Sequence, residues 1–341
     1  MKVVFYDTKP YDRIWFEPML KDAGVEVRFY EYKLSPDTAA FAKGAAAICI
    51  FVNDECGADT IEALADAGVK VILLRCSGYN NVDLNAAASR NIPVLRVPTY
   101  SPAAVAEYAM GLVLAANRKI PRAYARARVG NFSINGFLGF DLEGRTAGVI
   151  GTGQIGRKFV KICKAFDMNV VAYDKYPDNT LGVEYTTLDD LFERSDIISL
   201  HCPLTKETRH VINADAISRM KDGVIIVNTS RGALVDTSAL LDGLKSRKIG
   251  GAGLDVYEEE DRYFFEDFSN EVITDDELLQ LLSIPNAILS SHQAFFTEDA
   301  LRAIAEVTVG NLLDYRDDRE LRNRVLSENT SHASNGSKIR F

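Results

Sequence analysis

Cysteine is scarce in this sequence of 341 residues, and the cysteines that are present do not form pairs. There are five of them, an odd number, and none stands at the spacing of a disulfide framework or a zinc site. Most lie in apolar runs, which favours buried free thiols in a reducing cytoplasm over disulfides. We therefore predict neither a disulfide scaffold nor a metal centre.

Positive charge and long apolar runs are also in short supply. The sequence has 39 lysines and arginines against 48 acidic residues, a formal net charge of −9, which argues against nucleic-acid or anionic-membrane partners. No apolar run reaches the length of a transmembrane helix. Met1 leads into a short apolar strand and then Asp7, so we expect no secretory signal. These features predict a cytoplasmic location.

The sequence does contain enough apolar residues for two domains, since 47% of its residues are hydrophobic. Strand-like apolar runs alternate with helical patterns, which predicts parallel sheets covered by helices. The predicted strands are 3–6, 25–30, 46–52, 71–74, 94–97, 147–150, 170–173, 197–200, 224–228, 252–256 and 287–290. Helices are predicted around 14–23 and 59–67, and over 102–118 and 297–315.

One stretch, Thr146–Asp174, has the order of elements that binds a dinucleotide. A short apolar strand runs into glycines at GxGxxG spacing: Gly151, Gly153 and Gly156. A helical apolar stripe follows, and then a second strand that ends at Asp174. A lone GxGxxG is weak evidence, but strand, helix, second strand and acid together predict a nucleotide site.

Each part of this stretch has a physical role. Gly151 permits the tight turn, Gly153 lets the backbone approach a pyrophosphate, and Gly156 lets helix and strand pack closely. The helix N-terminus offers N–H groups to the phosphates. The Asp174 carboxylate can accept hydrogen bonds from both ribose hydroxyls and would repel a 2′-phosphate, so we predict NAD as the cofactor in preference to NADP.

Three chemically distinct side chains follow predicted strands of the same domain: Arg231, Glu260 and His292. Ligands of open α/β sheets bind at the carboxyl ends of strands. Taken separately, each could be a surface or structural residue. His201 also follows a strand, so position alone does not choose between it and His292.

Together, the three fit the reduction of a 2-keto acid beside a nicotinamide. A histidine can protonate the developing alkoxide. A carboxylate partner favours the imidazolium and fixes its orientation. A guanidinium holds the substrate carboxylate with a planar pair of donors.

With these motifs in view, the sequence resembles the D-2-hydroxyacid dehydrogenase family, and within it the fermentative NAD-dependent D-lactate dehydrogenases. The resemblance covers nearly the whole chain. It rests on MKVVFYDTKPYD, IFVNDECG, RCSGYNNVDL, RVPTYSPAAVAEYA, GVIGTGQIG, HCPLTKET, VNTSRGALVD, GLDVYEEE and SHQAFFT, which are jointly specific.

The resemblance implies a role for each matching residue. It assigns Arg231 to substrate binding, His292 to acid–base catalysis and Glu260 to partnering that histidine, in preference to His201 or the other acids of the EEE run. Implied substrate contacts are the backbone amides of Ser77 and Gly78, and the side chains of Tyr100 and Phe295. Implied cofactor contacts, beyond the three glycines and Asp174, are Gln154, Ile155, Cys202, Pro203, Thr229 and Asp255.

The predicted fold class is α/β, with two doubly wound parallel-sheet domains and a cleft between them. A flavodoxin-like substrate domain is expected over 1–100 and 297–326, and a Rossmann NAD domain over 101–296. Residues 327–341 are expected to form a mobile tail. The family also suggests a homodimer or homotetramer.

The expected reaction is the reduction of pyruvate to (R)-lactate with NADH. One alternative is the same chemistry on a bulkier 2-keto acid, because one or two methylenes change preference by only ~1–3 kcal/mol. Another is an NAD-sensing binding module of the same fold, although the intact trio favours turnover. Formate oxidation on this fold does not use the histidine–glutamate pair.

Overall fold

The computed structural model describes residues 1–326, so the tail predicted for 327–341 lies outside the described residues. The described chain folds as two compact units, one formed by 1–101 with 296–326 and the other by 102–295. Each unit is built on its own sheet with helices packed on it.

The N-terminal segment alternates strand and helix. Its elements are β1 (Lys2–Phe5), α1 (Pro10–Asp22), β2 (Glu26–Phe29), β3 (Ala47–Ile50), α2 (Ala58–Ala67), β4 (Val71–Leu74), α3 (Leu84–Ser89) and β5 (Val94–Leu95). These strands lie in the order 2-1-3-4-5 and are all parallel, which is the flavodoxin-like order. Every residue of β3 and β4 is buried, as expected for strands covered on both faces.

The central segment forms the second unit. Its elements are α4 (Pro102–Arg118), α5 (Ile120–Arg128), β6 (Thr146–Ile150), α6 (Gln154–Ala165), β7 (Asn169–Tyr173), β8 (Glu184–Tyr185), α7 (Leu188–Arg194), β9 (Ile197–Leu200), α8 (Ala214–Arg219), β10 (Val224–Asn228), α9 (Thr237–Lys245), β11 (Ile249–Leu254), α10 (Asp276–Ser283) and β12 (Ala287–Leu289). The strand order is β8-β7-β6-β9-β10-β11-β12, and all pairs are parallel. This is the Rossmann order 3-2-1-4-5-6 with one further strand, so the predicted fold class is confirmed.

The C-terminal segment returns to the first unit as α11 (Glu298–Arg316) and β13 (Arg324–Val325). β13 pairs antiparallel with β5. α11 begins one residue later than predicted because Thr297 is its N-cap, its hydroxyl oxygen accepting a hydrogen bond from the Ala300 amide at 3.2 Å.

The largest difference from the predicted strands is at β11, which begins at Ile249 and ends at Leu254 instead of covering 252–256. The early part was missed because it contains two glycines, which are poor strand formers. The structure requires one of them, since a Cβ on Gly250 would collide with the Gly223 carbonyl oxygen. β8, β13 and α5 were also not predicted; the two strands have two residues each.

Candidate active site

The turn between β6 and α6 has the shape of a phosphate cradle. Gly151 has φ +94°, and a Cβ there would lie 2.6 Å from the Cys202 backbone nitrogen. A Cβ on Gly156 would collide with the Gly151 carbonyl oxygen. Gly153 is the N-cap of α6, so the first N–H groups of the helix follow it directly. The turn therefore fits the pyrophosphate of a dinucleotide.

Asp174 follows β7 and is fixed by neighbours that carry no charge. One carboxylate oxygen accepts hydrogen bonds from the Thr152 amide at 2.6 Å and the Thr152 hydroxyl at 3.0 Å, and the other from the Tyr176 amide at 2.8 Å. The Tyr185 hydroxyl lies 2.9 Å from the Thr152 hydroxyl and extends this network. A carboxylate has about four acceptor positions, so the network leaves room for one further strong hydrogen bond.

The remaining predicted cofactor residues of the second unit lie near the ends of its central strands. Gln154 and Ile155 open α6. Cys202 and Pro203 follow β9, and the Cys202 carbonyl accepts a hydrogen bond from the Ser230 hydroxyl at 2.7 Å. Thr229 follows β10; its hydroxyl is buried and makes no hydrogen bond within residues 1–326. A bound ligand would satisfy this hydroxyl.

Arg231, Glu260 and His292 follow β10, β11 and β12, which are neighbours in the sheet. The carboxyl ends of parallel strands meet at one edge, so the fold brings the three loops together. A Cβ on Gly232 would collide with the Tyr257 carbonyl oxygen. The loop that carries Arg231 is therefore in close contact with the loop that leads to Glu260.

The imidazole of His292 and the carboxylate of Glu260 form a short hydrogen bond. His292 Nδ1 lies 2.6 Å from Glu260 Oε1, and the two side chains are 21% and 14% exposed. Glu260 Oε2 accepts a hydrogen bond from the Tyr257 amide at 2.9 Å, so both carboxylate oxygens are positioned. The Phe265 ring lies 5.9 Å from the imidazole. Since Nδ1 faces the carboxylate, Nε2 is the atom able to meet a substrate.

His292 lies in a strained turn that Asp255 holds in place. The φ of His292 is +53°, a conformation that non-glycine residues rarely adopt. Its amide donates to the Asp255 carbonyl at 2.7 Å. The Asp255 carboxylate accepts hydrogen bonds from Ser290, Gln293 and Ala294 at 2.7–2.9 Å. Burial raises the pKa of Asp255, and these hydrogen bonds oppose that rise. The structure gives Asp255 a loop-holding role besides the predicted carboxamide contact.

Arg231 is half-buried at the turn after β10. Its Nη1 donates to the Ser230 carbonyl at 2.7 Å, and its own carbonyl accepts from the Asn228 side chain at 2.8 Å. The turn is thus fixed from both sides. Among the described residues the guanidinium is held by a carbonyl and not by a carboxylate, so its positive charge is available to an anionic ligand.

The structure separates His292 from His201, which sequence position left as alternatives. His201 Nε2 lies 2.9 Å from the Ser199 hydroxyl, and burial lowers the pKa of His201 to about 3. An imidazole with that pKa is neutral at ordinary pH and is a poor proton donor. Of the two, only His292 has a carboxylate partner within residues 1–326.

A second histidine–glutamate pair, His210 with Glu258, was missed by sequence reasoning. His210 Nε2 lies 2.7 Å from Glu258 Oε1, and Arg209 Nη2 lies 2.8 Å from the same oxygen. Glu258 stands two residues before Glu260 in the EEE run. Nothing in the linear sequence marked His210 as its partner, because the two are far apart in the chain.

The predicted substrate residues divide between the units. Ser77, Gly78 and Tyr100 belong to the first unit, and Phe295 to the second, where it is 8% exposed. Their contacts with a substrate remain predictions. Within residues 1–326 there is no group of three or more histidines, cysteines or acids placed to hold a metal ion, and no helix that is long and apolar enough to cross a membrane.

Comparison with known proteins gives consistent matches. A family model described as "D-isomer specific 2-hydroxyacid dehydrogenase, NAD binding domain" matches residues 110–294. The D-lactate dehydrogenase of Escherichia coli is 49% identical over 92% of this chain and 96% of its own length. A 2-hydroxyacid dehydrogenase homolog of Haemophilus influenzae is 49% identical, with 96% and 99% covered. The solved structure of the pyruvate reductase of Chlamydomonas reinhardtii is 41% identical, covers 95% and 98% of the two chains, and has a TM-score of 0.90.

Proposed function

The chain belongs to the family of D-isomer-specific 2-hydroxyacid dehydrogenases, and on this premise we propose that it reduces pyruvate to (R)-lactate with NADH. As a member of this family it is an NAD-dependent oxidoreductase. The observation that carries the proposal is the hydrogen bond of 2.6 Å between His292 and Glu260 at the sheet edge that also carries Arg231. Pyruvate as the substrate is supported by the relatives that are named for lactate or pyruvate.

In this mechanism, His292 is the acid in reduction and the base in oxidation. When bound, NADH supplies the hydride that adds to the keto carbon. Protonated His292 donates its Nε2 proton to the keto oxygen as negative charge develops there. Glu260 holds Nδ1, fixes the ring orientation and stabilises the imidazolium. Solvent then returns a proton to His292, which restores the enzyme.

Arg231 binds the substrate carboxylate and polarises the keto group. A guanidinium offers parallel N–H donors that match a carboxylate. The carbonyl of Ser230, which holds Nη1 at 2.7 Å, sets the direction of the remaining donors. The amides of Ser77 and Gly78, with Tyr100 and Phe295, provide the other substrate contacts in this proposal.

The cofactor is held by the β6–α6 turn and by residues at the ends of the neighbouring strands. Gly153, Gln154 and Ile155 would contact the pyrophosphate, while Gly151 makes the tight turn and Gly156 lets α6 pack closely on the strand. Asp174 binds the adenosine ribose, Cys202 and Pro203 line the adenine side, and Thr229 and Asp255 lie at the nicotinamide. The buried Thr229 hydroxyl, which has no hydrogen-bond partner within residues 1–326, supports its role, and the φ of +94° at Gly151 supports the tight turn.

The test is to mix the purified protein with NADH and a panel of 2-keto acids and to follow the loss of NADH absorbance. We expect pyruvate to have the highest kcat/KM, with phenylpyruvate and branched-chain analogues lower, and (R)-lactate as the product by chiral analysis. If a bulkier acid has a higher kcat/KM than pyruvate, that acid is the substrate and pyruvate is not. Mainly (S)-lactate would contradict the mechanism, and no turnover with any acid would favour a binding module.

We also propose that the protein is a homo-oligomer, a dimer or a tetramer, in the cytoplasm. Between residues 120 and 138 the second unit exposes six large apolar side chains, more than a monomer ordinarily shows in one segment: Ile120, Tyr124, Val129, Phe132, Ile134 and Leu138. A second copy covering this segment would bury them. The five cysteines are free thiols, the state that a reducing cytoplasm maintains.

Light scattering tests the assembly. Phe132→Asp combined with Ile134→Asp should lower the mass in solution to that of a monomer. Val272→Asp is the control, because Val272 is 82% exposed in the same unit but lies outside this segment. An unchanged mass in the double variant would contradict the proposed interface.

A further inference from the structure

We propose that Arg96 is a positioning residue that orients the backbone amides of the loop after β4 for the substrate carboxylate. The inference rests on the proposed function, in which the Ser77–Gly78 loop meets that carboxylate. Arg96 has no role in the proposed mechanism so far. Its contacts explain how the N–H donors of a short loop without regular structure keep one direction. All of the contacts that carry it lie within the first unit.

Arg96 is a buried cation whose side chain contacts this loop. It follows β5 directly and is 8% exposed. Its Nη1 donates to the Ser77 carbonyl at 2.9 Å. Its guanidinium carbon lies 5.1 Å from the centroid of the Tyr79 ring, within the range of a cation–π contact. The Arg96 side chain therefore contacts the loop at two points, one on each side of Gly78.

Because the peptide group is planar, the contact of Arg96 with the Ser77 carbonyl also fixes the direction of the Gly78 N–H. In a trans peptide, the carbonyl of one residue and the N–H of the next point to opposite sides, and residues 1–326 contain no cis peptide. Because the Ser77 carbonyl points at Arg96, the Gly78 N–H points away from it. A charge-assisted hydrogen bond to the carbonyl also polarises the peptide and makes that N–H a better donor.

The next peptide is fixed in the same way. The Cys76 thiol donates to the Gly78 carbonyl at 3.3 Å, so the Tyr79 N–H also points away from its tethered carbonyl. Within residues 1–326, neither the Gly78 amide nor the Tyr79 amide has a hydrogen-bond acceptor. Two successive N–H groups without an acceptor among the described residues are donors that an anion can use.

Arg96 is itself held by the C-terminal segment. Its amide donates to the Asn323 carbonyl at 3.1 Å, and its carbonyl accepts from the Asn311 side chain at 2.9 Å. Asn323 Nδ2 donates to Asn311 Oδ1 at 2.8 Å. The return of α11 and β13 to this unit therefore fixes the backbone from which the guanidinium reaches the loop.

The test compares pyruvate with methyl pyruvate, which has the same keto group but no carboxylate. Arg96→Met keeps an unbranched apolar stem, which is somewhat shorter, and removes the donors. We expect kcat/KM for pyruvate to fall by about tenfold or more, the value of one well-placed hydrogen bond. The value for methyl pyruvate should change by less than about threefold, and KM for NADH should stay near wild type. Arg96→Lys, which keeps the charge and one donor, should restore part of the loss.

Leu95→Val is the matched control for general loss of stability. Leu95 is the neighbouring buried residue, 1% exposed, and its side chain makes no hydrogen bond to the loop. This variant should lower Tm without changing the ratio of the two kcat/KM values. If Arg96→Met fails to fold, Arg96→Lys must lower that ratio.

An unchanged ratio in a folded Arg96 variant, or an equal loss with both substrates, would overturn the proposal. Failure of the proposed function gives a different result, because wild-type protein would then not reduce pyruvate. The comparison would in that case be repeated with the 2-keto acid that the panel identifies and its methyl ester.

Discussion

The two histidine–glutamate pairs of the second unit have nearly the same geometry and different surroundings. In each, an imidazole nitrogen lies 2.6–2.7 Å from a glutamate oxygen. Both histidines have a positive φ, +53° for His292 and +51° for His210. The two glutamates stand two residues apart in one run. Distance alone therefore does not tell which pair does chemistry.

The difference lies in what else contacts the glutamate. The Glu258 oxygen that meets His210 also meets Arg209 at 2.8 Å, so an arginine already balances its charge. Within residues 1–326, His292 is the only ion-pair partner of Glu260, whose other oxygen accepts from a backbone amide. An unshared carboxylate can stabilise an imidazolium more strongly. We infer that the first pair ties loops together and the second transfers protons.

The largest expected effect is the loss of the proton donor. His292→Ala should lower kcat for pyruvate reduction by about 10²–10⁴-fold at every pH, the usual contribution of a general acid. His210→Ala should stay within about threefold of wild type, since this pair transfers no proton to the substrate in our account. Steady-state kinetics of both variants measures the contrast. Equal losses of kcat in His292→Ala and His210→Ala would contradict the distinction between the two pairs.

A smaller effect on activity is expected from substitution of Arg231, and Arg209 provides the comparison. Arg231→Lys keeps the charge but loses the planar fork, so KM for pyruvate should rise by about tenfold or more, with KM for NADH little changed. Arg209→Lys is the matched control and should leave both values near wild type, because Arg209 is paired with Glu258. A rise in KM for NADH in the Arg231 variant would instead make Arg231 a cofactor or structural residue.

Two aspartates of the nucleotide-binding region, Asp174 and Asp178, also differ in whether an arginine contacts them. In the described part of the chain, Asp174 accepts hydrogen bonds only from the uncharged donors of Thr152 and Tyr176. Asp178 bonds to Thr180 and Arg157, which lower the pKa of that carboxyl to about 2. We expect wild type to prefer NADH over NADPH by at least about tenfold in kcat/KM, the value of one charged contact. Asp174→Ala should narrow this preference and Asp178→Ala should not. Equal use of both cofactors by wild type would contradict the role of Asp174.

Much of the fold was predictable because its strands are short apolar runs. The limits of β4, β9 and β10 match the prediction residue for residue, since a fully buried strand has polar or turn residues at both ends. The glycine turn and Asp174 were predictable because they lie within one strand–helix–strand unit. Arg231 and His292 could be recognised as candidates because each directly follows a strand.

What escaped prediction depends on contacts between distant parts of the chain. Residue patterns alone left His292 and His201 as alternatives, and the resemblance chose His292; the burial of His201 and the short bond from His292 to Glu260 give the physical reason for that choice. The Thr152 contact with Asp174 and the Arg96 contact with Ser77 join residues that no local pattern connects. The exposed apolar segment at 120–138 was not predicted, because the exposure of its side chains depends on how the rest of the chain packs.

The central claim is that Glu260, and not Glu258, sets the protonation of the catalytic histidine. Glu260→Gln keeps the size and hydrogen bonding of the side chain and removes its charge. The negative charge 2.6 Å from His292 Nδ1 is then lost. Reduction needs the protonated form, and oxidation needs the neutral form.

The measurement is the pH profile of pyruvate reduction by Glu260→Gln and by the matched variant Glu258→Gln. In Glu260→Gln, the pH profile of reduction should move to lower pH, because the charge that favours the imidazolium is gone, while activity at the acid end is kept. Lactate oxidation should begin at correspondingly lower pH. Glu258→Gln should overlay wild type in both directions. A Glu260→Gln profile that overlays wild type, or an equal shift in both variants, would contradict the account.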